Sequence, residues 1–92
     1  MIQLAPYHRF DYAGATIHVY HANQGEGLPS HLHAWNHATM CHVGSCIVKV
    51  KGKEYTLTAD SQPLDLPAHE YHEIEALEDG TVFMNVFLEG QK

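Results

Sequence analysis

Short runs of alternating or β-branched residues, cut by turn residues every few positions, extend along the whole chain. Residues 15–22 are rich in β-branched and aromatic types, with Thr16, Ile17, Val19 and Tyr20. The segment Asn23-Gln24-Gly25-Glu26-Gly27 breaks that run, and Pro29 precludes a helix after it. Further strands are expected over 31–35, 38–43, 46–51, 54–58, 64–66, 71–77 and 81–88. Gly52-Lys53 reads as a tight hairpin, Pro67 as a strand stop, and Glu78-Asp79-Gly80 as a turn. Residues 69–77 are the best helical rival, but no window carries convincing 3.6-residue periodicity. Many short strands at this spacing predict an all-β sandwich or barrel.

With 92 residues, the chain is expected to form one domain, 1–92, with a barrel core over about 15–88. The apolar residues Ile2, Leu4, Tyr7, Phe10 and Tyr12 make residues 1–14 a plausible edge or swapped strand. Leaving them bare costs about 25 cal/mol per Å².

A formal charge of −6 with only five Lys and Arg argues against a nucleic-acid footprint. No apolar run approaches the ~20 residues of a membrane helix, and the first residues lack the basic start and apolar stretch of a leader. A cytoplasmic protein is expected. Cys41 and Cys46 would stand ~16 Å apart on one straight strand. A turn at Gly44-Ser45 would shorten that distance, but two free thiols are the simpler expectation.

Nine histidines are the compositional anomaly. His31, His33 and His37 form an H-x-H-x3-H cluster of shared parity, which an extended chain points to one side. With His72 from a distant strand, they are candidates to close a metal site.

Gly25-x5-His31-x-His33-x3-His37-x6-Gly44 resembles the first motif of the cupins, G-x5-H-x-H-x(3,4)-E-x6-G. His37 stands where Glu is common. The second cupin motif, G-x5-P-x-G-x2-H-x3-N, is similar to Ser61-x5-Pro67-x-His69-x2-His72-x3-Ala76. Pro67 and His72 match it, while Ser61, His69 and Ala76 depart. The resemblance implies a jelly-roll β-barrel enclosing one divalent transition-metal ion, with pairing into a homodimer. The first motif would supply two adjacent strands and the ligands His31, His33 and His37; the second would return His72 from across the barrel. His69 replaces a turn glycine, so an unusual φ is expected there, which His tolerates better than most residues.

Imidazole suits Zn, Fe and Ni, and Mn less strongly. Four neutral imidazoles leave the site one unit more positive than three with a carboxylate, which favours an anionic ligand. Around the histidines, Cys41, Trp35, His69, Phe83, Asn85 and Phe87 are candidate pocket residues, with core or surface packing as the alternative for each. On the last strand, Phe83, Asn85 and Phe87 share one face and Met84, Val86 and Leu88 the other, with nothing to show which points inward. Glu70 and Tyr71 are the candidate catalytic groups nearest His72, although no clear acid–base pair emerges.

The leading expectation is a metal-dependent enzyme on a small anionic or chelating substrate, dioxygenase-like or a Lewis-acid isomerase or lyase. The alternative is a non-catalytic module in which the ion stabilises the fold or holds a small ligand. A six-coordinate ion keeps two positions open, whereas tetrahedral zinc with four protein ligands keeps none.

Overall fold

The computed structural model describes residues 1–88. The last four positions of the expected domain lie outside them. Nine strands follow in order: β1 His8–Tyr12, β2 Ala15–Ala22, β3 Gly27–His31, β4 His37–Val43, β5 Ser45–Val50, β6 Lys53–Thr58, β7 Leu64–Leu66, β8 His72–Ala76 and β9 Thr81–Phe87. They form two antiparallel sheets, one ordered β1-β2-β9-β4-β7 and the other β3-β8-β5-β6. No helix occurs among the described residues, so the helical rival at 69–77 gives way to β8.

Alternation decides which side chains enter the space between the sheets. His37, Thr39 and Cys41 of β4 are buried, as are Thr81, Phe83, Asn85 and Phe87 of β9. On the facing sheet the buried set is Cys46, Val48 and Val50 of β5 with His72, Ile74 and Ala76 of β8. Phe83, Asn85 and Phe87 are therefore the inward face of the last strand. Its Val82, Met84 and Val86 lie on the outer side, only partly covered.

The interior is graded along the strands. On β4 it runs from His37 to Cys41, on β8 from His72 to Ala76, and on β5 from Val50 to Cys46. Val50 pairs with His72 and Cys46 with Ala76, so both sheets carry histidine at one end and cysteine at the other.

Several expected boundaries shift. The strand expected over 31–35 ends at His31, because the chain leaves the four-stranded sheet there to enter the five-stranded one at His37. β3 and β4 are thus not adjacent, as the family pattern implied, but lie in opposite sheets. The β5–β6 hairpin turns at Lys51-Gly52 instead of Gly52-Lys53. Both residues have positive φ, 53° and 72°, the conformation of tight hairpins, and Lys53 already pairs with Val50.

Residues 8–12 form the outer edge of the five-stranded sheet against β2 of the same chain, and Gln3 bridges Gly27. Gly44, at φ 77°, makes the passage from β4 to β5. A Cβ there would meet Thr81 Oγ1 at 2.5 Å, so only glycine fits without displacement.

Candidate metal centre

The histidine end of the interior is assembled by one bulge, one loop and two strand starts. Leu28 pairs with Ile74 and His31 with His72, so three steps on β3 match two on β8. The extra residue is a β-bulge, and it lets Leu28 and His31 both face inward despite their odd separation. His33 lies just beyond β3 in the crossing loop, whereas His37 opens β4 and pairs with Phe87 and Leu66. The shared parity of the three histidines is therefore not what gathers them. The crossing between sheets brings His37 over the interior, and His72 stands directly beside His31 instead of opposite it.

The loop that carries His33 is tied to the loop that leads into β8. The backbone N–H of His69 donates to the His33 carbonyl at 2.8 Å, and that of Ala68 donates to Asn36 Oδ1 at 2.7 Å. His69 achieves this with φ 65°, the unusual conformation its place in the motif predicts. Its side chain is exposed, so its contribution is made by backbone.

The donor atoms of His31, His33 and His72 lie within 4.8 Å of one another. His37 is slightly outside that trio, with its ring 5.1 Å from that of His33 and 5.0 Å from that of His72. Backbone carbonyls orient two of the rings: His31 Nδ1 lies 2.7 Å from the Pro29 oxygen and His72 Nδ1 3.1 Å from the Glu70 oxygen. Each Nδ1 then carries the proton it donates, and each Nε2 is left with its lone pair free.

The Nε2 atoms of His33 and His72 are buried without a hydrogen-bond partner, as are both ring nitrogens of His37. Buried polar atoms are nearly always paired, and leaving one unpaired costs about 1–3 kcal/mol. Such a concentration of unpaired lone pairs in one spot fits a divalent transition metal, whose ligand must be the neutral ring.

The rings are indeed held neutral. Burial pushes His37 down to about 3, with His72, His33, His31 and His18 adding repulsion to its charged form. Burial also takes His72 down to about 4, helped by His31 and His33 and opposed by the Glu70 carbonyl. His33 is lowered by burial, then by His31 and His18.

A cavity of about 260 Å³ lies beside this cluster, with His31 and His33 on one side and His18, Asn85 and Phe87 on another. Phe87 packs 4.8 Å from the His37 ring and 5.4 Å from the His33 ring, an apolar wall against water. A larger recess, about 640 Å³, lies over Ala38, Leu66, Val86 and Leu88. It is mostly apolar and touches only His37 of the cluster, so the smaller cavity is the one that faces the candidate ligands.

The other residues singled out from sequence sit elsewhere. Cys41 and Phe83 are buried at the opposite end, where Phe83 stacks on Tyr20 at 4.9 Å. Trp35 is 40% exposed in the crossing loop. The Glu70 side chain meets Lys51 at 3.8 Å on the surface, and Tyr71 is 64% exposed. Glu70 precedes β8, so strand parity with His72 does not carry its side chain inward.

His18 and His21 have opposite parity, so at most one of them faces inward; it is His18, which borders the candidate site although the motif does not name it. It is half-buried, its Nε2 is buried without a partner, and it sits 5.2 Å from the Phe87 ring. Burial and neighbouring Arg9 lower its pKa.

No family model matches the sequence, and no curated protein does. Solved structures do. A cupin protein from Bacteroides fragilis is 20% identical with TM-score 0.72, covering 98% of this chain and 83% of that one. A cupin superfamily protein from Desulfitobacterium hafniense is 15% identical with TM-score 0.71, covering 96% and 84%. KdgF from Halomonas sp. is 17% identical with TM-score 0.68, covering 94% and 89%. At these identities the likeness is one of fold.

Proposed function

From a cupin fold whose interior gathers four histidines, we propose a metal-dependent enzyme acting on a small anionic or chelating substrate, with His31, His33, His37 and His72 as the ligands. The reading takes the two facing sheets as a jelly-roll barrel around one ion of Fe, Mn, Ni or Zn. The observation that carries it is the set of buried, unpartnered ring nitrogens on His33, His37 and His72.

A bound divalent ion supplies Lewis acidity and, if redox-active, a place for O2 chemistry, so a dioxygenase-like reaction and an isomerisation or elimination are both in range. The chain's own residues do the rest. The Pro29 and Glu70 carbonyls fix the tautomers of His31 and His72, Phe87 excludes water, and the tied loops hold His33 in place.

A second reading, a non-catalytic binding module, draws on a specific observation: no carboxylate lines the small cavity. Metal analysis of untagged protein, anaerobic iron loading and oxygen uptake across small carboxylates separate the two. Metal-dependent turnover supports the enzyme, and a closed tetrahedral zinc with no exchangeable water supports the module.

The same proposal includes a homodimer in the cytoplasm. Phe10, Ile17, Met84, Val86, Ala38 and Met40 lie side by side on the outer face of the five-stranded sheet, without a charge among them. That surface suits an isologous contact with a second copy. Two free, buried thiols suit a reducing compartment. No helix among the described residues is long and apolar enough to cross a membrane.

A further inference from the structure

A polar row crosses the inner face of the five-stranded sheet. Arg9 pairs with His18, His18 with Asn85, and Asn85 with Thr39. The row lies next to the one that holds His37, Phe87, Thr16 and Asp11, in which Thr16 Oγ1 donates to Asp11 Oδ1 at 2.7 Å. Thr39 Oγ1 donates to Asn85 Oδ1 at 2.6 Å, which engages that oxygen and leaves the amide N–H groups as what Asn85 offers. His18 and Asn85 both line the 260 Å³ cavity beside His31 and His33.

Thr39 and Asn85 pair with each other, but the row's third inward member, His18, finds no partner for its Nε2. Asn85 and Thr39 are almost wholly buried, where polar groups are costly unless paired, and the Nε2 of His18 is buried as well. The residues that line the cavity include no acid. Arg9, next to His18, takes part in neither of the ion pairs among the described residues, Lys49–Glu73 and Lys51–Glu70.

We propose that His18 and Asn85 are the recognition residues for a small oxyanion, a carboxylate or enediolate, that sits in this cavity against the four-histidine centre. The proposal rests on the metal-centre reading above. Imidazole and amide each present an N–H donor to the ligand's oxygens, and Arg9 adds positive potential at the end of the row. Four neutral ligands leave a divalent charge uncompensated, and an anion balances it.

Size is limited from above. Gln3, Leu4 and Pro6 roof the cavity, fixed by the Leu4 N–H to the Gly27 carbonyl at 3.1 Å and the Tyr7 N–H to the Val19 carbonyl at 2.8 Å. A short-chain acid fits a cavity of this size.

The test uses the full chain loaded with cobalt(II). The visible spectrum is followed during titration with pyruvate and with its uncharged counterpart pyruvamide, and cobalt content is measured alongside. Wild type should hold one cobalt and bind pyruvate at least about tenfold more tightly than pyruvamide. His18→Ala should keep its cobalt and lose pyruvate affinity by roughly ten- to a hundredfold, the span of one charge-assisted hydrogen bond. Asn85→Asp, nearly isosteric, should keep cobalt and lose pyruvate binding through repulsion, and it serves if the alanine variant does not fold. Unchanged pyruvate affinity in a cobalt-loaded variant overturns the proposal. So does equal binding of the two probes by wild type, or loss of cobalt from His18→Ala, which would make His18 a ligand. Wild type that holds no cobalt defeats the metal centre itself, and the recognition site with it.

Discussion

The two ends of the interior are built from the same strands and are chemically opposite. Four residues along β4 separate His37 from Cys41, and four along β8 separate His72 from Ala76. At the cysteine end, Phe83, Tyr20, Leu57 and Ala76 pack around two thiols, and Cys41 Sγ donates to the Val43 carbonyl at 3.3 Å. Burial raises both thiols, Cys46 to about 12, so they stay protonated and behave as small apolar groups. At the histidine end the Nε2 atoms of His33 and His72 and both ring nitrogens of His37 are buried with no partner within the protein. One end is complete by itself and supplies stability. The other leaves buried lone pairs unsatisfied, and on the proposed reading a bound ion satisfies them, so that the metal-free protein gives up some stability for its site.

Replacement of His33 by Ala probes the incomplete end, with the largest expected effect on metal content. Metal content by elemental analysis should fall severalfold or more. The thermal stabilisation by added metal should vanish with it; in wild type this is about 2.7 kcal/mol at a hundredfold excess over Kd, or roughly 10–20 °C in Tm. Unchanged stoichiometry would remove His33 from the ligand set.

Phe83→Ala addresses the complete end. It should cost about 3–5 kcal/mol in denaturant unfolding while each folded chain keeps its metal. A parallel loss of metal would show that the two ends are not separable.

Acid sharpens the contrast in metal-free protein. His37 and His72 are held near 3 and 4 in the fold against 6.5 in the unfolded chain, so below pH 6.5 the unfolded state binds more protons. Stability is therefore unaffected by these rings above pH 6.5 and falls as pH drops from 6.5 towards 4, by up to about 1.4 kcal/mol per pH unit for each ring. Urea midpoints that stay flat over that range would contradict the burial of neutral rings.

The smallest effect belongs to His42→Ala. The His42 side chain is exposed at the β4 bulge, so metal content should hold and stability should move by no more than ~0.5 kcal/mol.

Much of this was legible from spacing. The turn residues delimit β2 and β7 at their observed bounds, and the motif singles out the four histidines that the fold gathers. Their mode of gathering was not legible, because a bulge at β3 and a crossing between sheets are long-range outcomes that strand parity does not encode. Parity also failed to orient β2 and β9. The outer face of their sheet is as apolar as the inner one: Ile17 and Val19 are outside while Thr16 and His18 are inside. With hydrophobic residues on both faces, alternation leaves two equivalent choices, and His18 and His21 stay undecided between them. A polar residue in each of two paired apolar strands, His18 and Asn85, was the available signal, but it needs the register to be known.

X-ray absorption at the metal edge of the loaded protein tests the central claim most directly. Four imidazole nitrogens at ~2.0–2.2 Å are expected, falling to three in His37→Ala. A wild-type spectrum with three imidazoles, unaltered by His37→Ala, would leave His37 as a buried bystander and contradict the four-histidine centre.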